Sequence, residues 1–384
     1  MSRTVRRVAL LFGGRSAEHR VSLASAVSVA RSADSEDLLI LPVLIGTDGV
    51  WTLLESPEPP SPPPPSSARG VRVTLRPEPG PPALVEIPGG TAHSFDVAFP
   101  VIHGPGGEDG SLQGILEWAE VPFVGAGVAA SAAGMDKELT KIICRSAGVP
   151  VVDWATLRWE VHRDDPKAVR RALEERDLEP PLFVKPVALG SSVGISRVDR
   201  EGDLDEAVAA AFRFHNRVVV ERAVEGREIE CAVLGNTTGG EEGGGGEGDD
   251  APAASVALAE ILPRGGWYDY ERKYTDGATE IVIPASVEEP LADQVRTLAL
   301  RAYTALGVDG MARVDFLVED PSGRPTALLN ELNTIPGFTA TSVYAKLWEA
   351  GGLPYPGLIS RLVDLGLARR RFLDRFAAAR GIDD

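Results

Sequence analysis

GMARVDFLVEDPSGRPTALLNELNTIPG, Gly310 to Gly337, reads as two strands joined by a turn. The turn signal is Asp320-Pro321-Ser322-Gly323, where proline presets φ and glycine frees it. Side chains two apart in a strand share a face. Arg313 and Asp315 therefore point one way, as do Glu331 and Asn333. If the strands pair with those faces aligned, three oxygen-bearing side chains and one guanidinium converge. Asp, Glu and Asn oxygens suit a hard cation such as Mg²⁺, which often also binds substrate phosphates. The plain alternative is a hairpin with one solvated polar face. The run Thr334-Ile335-Pro336-Gly337-Phe338-Thr339 favours the cation site. A Pro-Gly turn beside a carboxylate cluster can present a backbone N–H to a reacting oxygen.

The rest of the chain bounds what such a site can serve. Its 384 residues exceed what one core usually supports, so two or three domains are expected. A hydrophobic share of 43% and a charged share of 25% are those of a globular enzyme. The net charge of -17 argues against nonspecific nucleic-acid binding. No apolar run reaches the roughly 18 residues of a membrane span. Met1-Ser2-Arg3 leads straight into a strand-like run, not a signal peptide. Cys144 and Cys231 lack metal-ligand spacing and fit a reduced, cytoplasmic setting, each as a core residue. Among 39 Lys plus Arg only six are lysines: Lys137, Lys141, Lys167, Lys185, Lys273 and Lys346. An ammonium is a compact point charge, and phosphate sites often use it. Codon bias with chance survivors is the competing explanation, and it suits Lys167 and Lys346.

In chain order, Val5–Phe12 ends in an apolar strand, followed by a Gly13-Gly14 turn and a helix to about Ser32. That is the start of a βαβ unit, but the glycine spacing is not the dinucleotide fingerprint. Glu18 stands at the helix start, where the dipole favours a carboxylate, so capping explains it without a ligand. Leu38–Ile45 and Phe95–Ile102 read as further strands. Ser56–Ser67 holds seven prolines and reads as a surface insertion. His103 opens a glycine-rich loop that delivers a helix, Leu112–Ala119, whose N-terminal amides can hold an anion. Ligands in open parallel sheets sit at such strand ends. His103 can touch a ligand there or satisfy its own loop. A helix around Met135-Asp136-Lys137 is expected to run to about Ala147, stopped by Gly148-Val149-Pro150.

Leu182–Pro186 is a short strand carrying Lys185, before the small-residue loop Val187-Ala188-Leu189-Gly190-Ser191-Ser192-Val193-Gly194. Amides and hydroxyls of such a loop suit phosphates, although an ordinary hairpin loop looks the same. It is not a Walker A motif, because the lysine precedes it. Arg217–Ala223 and Glu228–Gly235 read as strands; Glu221 could accept from an adenine amine and Glu228 from ribose hydroxyls, or both are strand-end charges. The segment from about 236 to 254 is glycine- and glutamate-rich, with five acidic and no basic residues between Glu241 and Asp250. It cannot bury apolar area and is expected to be a disordered loop within a hairpin. Trp267–Gly277 is aromatic, charged and glycine-ended, as suits a lid, or a surface loop anchored by its rings. Leu291–Leu306 is an amphipathic helix, and a last helix runs from Leu358 through Arg380.

Taken together, GGRSAEHRVS, HGPGGEDGSLQG, MDK, VKP followed by GSSVG, YDYERKY, ARVDF and NELNTIPGFTATS resemble the D-alanine–D-alanine ligases of the ATP-grasp superfamily. The matches run in order from residue 8 to about residue 365. The two insertions have no motif counterpart, and Ala188 stands where the family often has a polar residue. The resemblance implies an α/β fold, α+β in its C-terminal half. A Rossmann-like N-terminal domain, residues 1–127, would bind substrate. A central lobe, 128–221, and a C-terminal lobe with the metal site, 222–384, would grasp ATP.

Carried over by position, the resemblance implies roles for individual residues. Lys137, Lys185, Ser192 and the lid residue Lys273 would hold ATP phosphates. Glu221 would contact adenine, Val224 would line its pocket and Glu228 would bind ribose. Asp315, Glu331 and Asn333 would hold two Mg²⁺ or Mn²⁺. Glu18 would bind the ammonium of the first D-alanine, tied through Ser191 to Tyr274 on the lid, with His103 nearby. Arg313 and the Gly337 amide would stabilise an oxyanion, and Ser342 would bind the second D-alanine carboxylate. A cytoplasmic homodimer in peptidoglycan precursor synthesis follows from the resemblance alone, as does the D configuration. A D-lactate-using relative often has Phe where this chain has Tyr274. Another ATP-grasp ligase would lack GGRSAEH and HGPGGEDG. A catalytically dead nucleotide binder would have lost a metal ligand or a phosphate lysine.

Overall fold

A computed structural model describes residues 5–33, 37–55, 70–165, 167–190, 193–238, 250–263, 279–320 and 323–377. Among these the chain forms three sheets of seven, four and six strands.

The first sheet contains β1 (Arg6–Gly13), β2 (Leu38–Ile45), β3 (Trp51–Leu54), β4 (Gly70–Leu75), β5 (Ala83–Glu86), β6 (Ala92–Ser94) and β7 (Val97–Pro100). Their order is β6-β5-β4-β3-β2-β1-β7. β1 is parallel to β2 and β7, with helix His19–Ser32 crossing between β1 and β2. The two faces of β1 feed different cores, as alternation in a doubly covered strand requires. Val8, Leu10 and Phe12 pack with the C-terminal helices Val343–Ala350 and Tyr355–Ala377. Ala9 and Leu11 pack with helix Ser111–Trp118. The meander β3 to β6 was not expected from sequence. Its strands have three to six residues and lie among prolines and glycines, so no period can establish itself.

The second sheet is antiparallel, ordered β10-β9-β11-β8, from β8 (Trp154–Arg158), β9 (Leu182–Pro186), β10 (Ser196–Val198) and β11 (Arg217–Arg222). The third holds β12 (Arg227–Asn236), β13 (Ala253–Ala254), β14 (Ala259–Pro263), β15 (Thr279–Val282), β16 (Asp309–Glu319) and β17 (Thr326–Asn333). Its path is β15-β14-β12-β16-β17, with β13 on β12.

The helix expected through Met135 is two helices, Val128–Met135 and Lys137–Ser146. Asp136 breaks it: its backbone is extended, and its carboxylate caps the second helix at the Leu139 N–H, 2.9 Å away. Arg217 holds the same carboxylate and also Glu138, the latter at 2.7 Å. Ala130, Cys144 and Val151 join the core beneath the third sheet, so the second helix lies between the second and third sheets.

Candidate active site

The opening stretch folds as its pattern requires. Across β16 and β17, Arg313 pairs with Asn333 and Asp315 with Glu331. Arg313 donates to both Asp315 oxygens, at 2.7 and 2.6 Å, and approaches Glu230 Oε2 at 3.1 Å. Asn333 Nδ2 donates to Asp315 at 3.0 Å. Asp315 is 1% exposed, so its charge needs these partners. Burial opposes the charge on Arg313, but Asp315 and Glu230 outweigh it and hold the guanidinium protonated. The donor set of Asp315, Glu331 and Asn333 is all oxygen and fits a hard divalent cation. Among the described residues no group of three or more His, Cys, Asp or Glu is placed to hold a metal, and this set counts two carboxylates and one amide.

The register shifts between Asp315 and Phe316, so Asn330 is the extra residue of a bulge. A bulge re-aims side chains. Asn330 and Glu331, neighbours in sequence, both line one cleft, with Lys137, Gly190, Asn333 and Glu108.

The lysines enter from the second sheet and the helix beside it. Lys137 Nζ donates to the Leu189 carbonyl at 2.6 Å and lies 4.0 Å from Glu331 Oε2. Lys185 Nζ donates to Glu221 Oε2 at 2.6 Å and to Asn330 Oδ1 at 3.3 Å. The other Glu221 oxygen faces Lys141 Nζ at 3.1 Å. Burial would raise the Glu221 pKa, yet Lys141 and Lys185 together pull it down to about 2. Glu221, expected beside adenine, thus has its carboxylate between two ammonium groups.

The N-terminal sheet contributes from its strand ends. Ser16 Oγ donates to the His103 carbonyl at 2.6 Å, and Glu18 follows on the same turn. A Cβ on Gly104 would lie 2.3 Å from Glu18 Oε2, and one on Gly190 would lie 3.1 Å from it. The Glu18 carboxylate therefore sits between the His103 loop and the loop after β9. Gly104 also has φ +76, a second reason for glycine. His103 Nδ1 donates to the Ile335 carbonyl at 2.9 Å, and Nε2 lies 3.0 Å from Ser25 Oγ. Glu108 Oε1 lies 3.6 Å from Nδ1. Burial alone would lower the His103 pKa, but Glu108 and Glu18 outweigh it and push the imidazole up. Burial pushes the Glu108 carboxyl up against the pull of His103.

Ser342 Oγ accepts from the Thr339 N–H at 3.0 Å, and a Cβ on Gly337 would lie 3.4 Å from that oxygen. Glu228 lies in β12 opposite Leu317, and Val224 in the connection from β11. Ser191, Ser192, Lys273 and Tyr274 lie outside the described residues. Lys141, Asn330, Glu108 and Glu230 were not singled out as site residues from the sequence. Lys141 alone carried a signal, as a lysine one turn after Lys137 in an arginine-rich chain.

The family sequence model described as D-ala D-ala ligase N-terminus matches residues 7–126, and that described as D-ala D-ala ligase C-terminus matches residues 143–364. The D-alanine–D-alanine ligase of Mycolicibacterium smegmatis is 42% identical over 375 residues, covering 94% of this chain and 96% of its own. That of Mycobacterium leprae is 42% identical over 387 residues, covering 94% of each. The D-alanine-D-alanine ligase from Coxiella burnetii superposes with a TM-score of 0.81 at 35% identity, covering 98% of this chain and all (100%) of its own. The VanG D-Ala:D-Ser ligase from Enterococcus faecalis does so with 0.79 at 32%, covering 94% and 100%. The fold is that of the ATP-grasp enzymes. The chain belongs to the D-alanine–D-alanine ligase family.

Proposed function

We propose that the chain joins two D-alanines into D-alanyl-D-alanine for peptidoglycan precursor synthesis, converting ATP to ADP and phosphate. The pairing of Arg313 with Asn333 and Asp315 with Glu331, beside Lys137 and Lys185, is the observation that carries this reading. A carboxylate is a poor electrophile. One carboxylate oxygen of the first D-alanine attacks the γ-phosphorus of ATP, and ADP leaves. Lys137 and Lys185, with Ser192 and Lys273, neutralise the charge on the transferring group. Asp315, Glu331 and Asn333 would hold Mg²⁺ or Mn²⁺, which would supply charge neutralisation to the phosphate oxygens. Glu221, Val224 and Glu228 border the nucleoside.

The amine of the second D-alanine then attacks the acyl carbon, the carbonyl pair moves to oxygen, and one amine proton is lost. Arg313 and the Gly337 amide serve as the donors to that oxyanion in this reading. Collapse expels phosphate and leaves the peptide bond. Glu18 holds the ammonium of the first D-alanine, with His103 nearby. Ser342 binds the second carboxylate. Tyr274 would be tied through Ser191 to Glu18, and exclusion of water would protect the acyl phosphate.

The three sheets support domains of 1–127, 128–221 and 222–384, with helices 128–146 packed across to the third. A cytoplasmic homodimer is part of the same reading. Among the described residues no helix is long and apolar enough to cross a membrane. ADP release with D-alanine and a divalent cation tests the proposal. Release must require both; release indifferent to D-alanine contradicts it.

A further inference from the structure

Lys141 has no exposed surface, at 0%, whereas Lys137 keeps 9% and Lys185 11%. The Lys141 ammonium forms an ion pair with Glu221 Oε1 at 3.1 Å and donates to the Val152 carbonyl at 3.3 Å. The Trp154 ring centroid lies 5.8 Å away. Arg145 is turned aside, stacked over Trp154 at 4.3 Å and paired with Asp153 at 2.9 Å. Among the described residues Glu221 is the carboxylate paired with Lys141, and the same carboxylate also pairs with Lys185 at 2.6 Å. The three groups carry two positive charges and one negative. A buried cluster of that kind is one anion short. Lys185 is its partly exposed member, at 11%, and it reaches across to Asn330 on the third sheet.

We infer that Lys141 is a positioning residue for the nucleotide phosphates: by sharing Glu221, it keeps that carboxylate from cancelling the charge of Lys185. With Lys141 absent, Lys185 and Glu221 form a neutral pair, and the cleft loses its pull on phosphate. Burial, with the like charges of Lys185 and Arg145, lowers the Lys141 pKa by more than Glu221 raises it. The inference rests on the proposed role of Lys185 as a phosphate lysine.

The test replaces Lys141 in the full chain with Met, which keeps length without charge, and with Gln, which keeps a donor for Glu221 without charge. KM for ATP and the inhibition constant of adenosine are measured beside thermal melting. Both variants are expected to raise KM for ATP about tenfold, the scale of one unit charge lost at short range in partly buried surroundings. Adenosine, lacking phosphate, is expected to keep its inhibition constant within about twofold, and kcat is expected to change less than KM. Equal weakening of ATP and adenosine would make Lys141 a scaffold of the base pocket and overturn the inference. So would an unchanged KM for ATP, or a Gln variant that behaves as the parent protein does. Lys185→Met separates the two levels: if it leaves KM for ATP unchanged, the role given to Lys185 fails first.

Discussion

Arg313 and Asp315, two residues apart on one face of β16, form a two-bonded ion pair, Nε to Oδ1 at 2.7 Å and Nη2 to Oδ2 at 2.6 Å. The pair gives a carboxylate with 1% exposure two charge-assisted hydrogen bonds beside the proposed cation site. Removing the guanidinium takes away the proposed oxyanion donor and leaves buried Asp315 without its two-bonded partner. Arg313→Ala is expected to lower kcat at least about a hundredfold and to lower the melting temperature. Steady-state kinetics and calorimetry check both; a fast, less stable variant would sink the catalytic role.

Glu331 faces Asp315 across the ladder, and its charge is the part of the donor set that an amide cannot replace. Glu331→Gln is expected to abolish turnover and leave the fold intact. Activity titrated with Mg²⁺ and Mn²⁺ reads the outcome. Near-normal turnover at low Mg²⁺ would refute the metal role.

Gly104 is pressed against Glu18, with 2.3 Å left for a methyl group at φ +76. Gly104→Ala is expected to raise KM for D-alanine about tenfold or more, because an αL alanine is strained and Glu18 must move. KM for ATP is expected to hold. Parallel changes in both constants would mean a general disturbance instead.

Glu221 has a carboxyl held at about 2, below the ordinary value of 4.5. Its folded pKa is depressed, so its stabilising contribution is full above the unfolded value. That contribution is lost as pH falls through the window from 4.5 towards about 2. The gap in denaturation midpoint between the parent protein and Glu221→Gln is therefore expected to shrink from pH 6 to pH 3. A constant gap would mean that the two lysines do not hold the carboxylate ionised.

The root of the acidic insertion is anchored. Thr238 donates its N–H and hydroxyl to Asp309 at 2.8 and 2.6 Å, and Asp250 pairs with Arg361 at 2.9 Å. Deleting residues 241–248 between these anchors is expected to leave kcat and melting temperature nearly unchanged. A large loss of activity would mean that the segment acts at the site.

The site was legible where chemistry and period coincide. Arg313, Asp315, Glu331 and Asn333 alternate in two short strands, and a period of two aligns them without tertiary knowledge. The strand–turn–helix after Phe12 was readable for the same local reason. Asn330 was not, because it belongs to the wrong face until the bulge turns it, and a bulge depends on the partner strand. Lys141 was hidden by ambiguity, since a lysine one turn from another reads as a solvated stripe until packing buries it. The β3 to β6 meander failed for want of length. Glu108 needed a fold to bring it to His103, five residues away in a glycine-rich loop.

Phosphate release from ATP and Mg²⁺ with D-alanine tests the ligase reading most directly, with the product identified by mass. L-alanine, D-lactate plus D-alanine, and D-serine plus D-alanine run alongside. Release with D-alanine, a D-alanyl-D-alanine mass and silence with L-alanine are the predicted result. No release with any of these substrates, while ATP still binds, would contradict the ligase reading and leave an inactive nucleotide-binding protein.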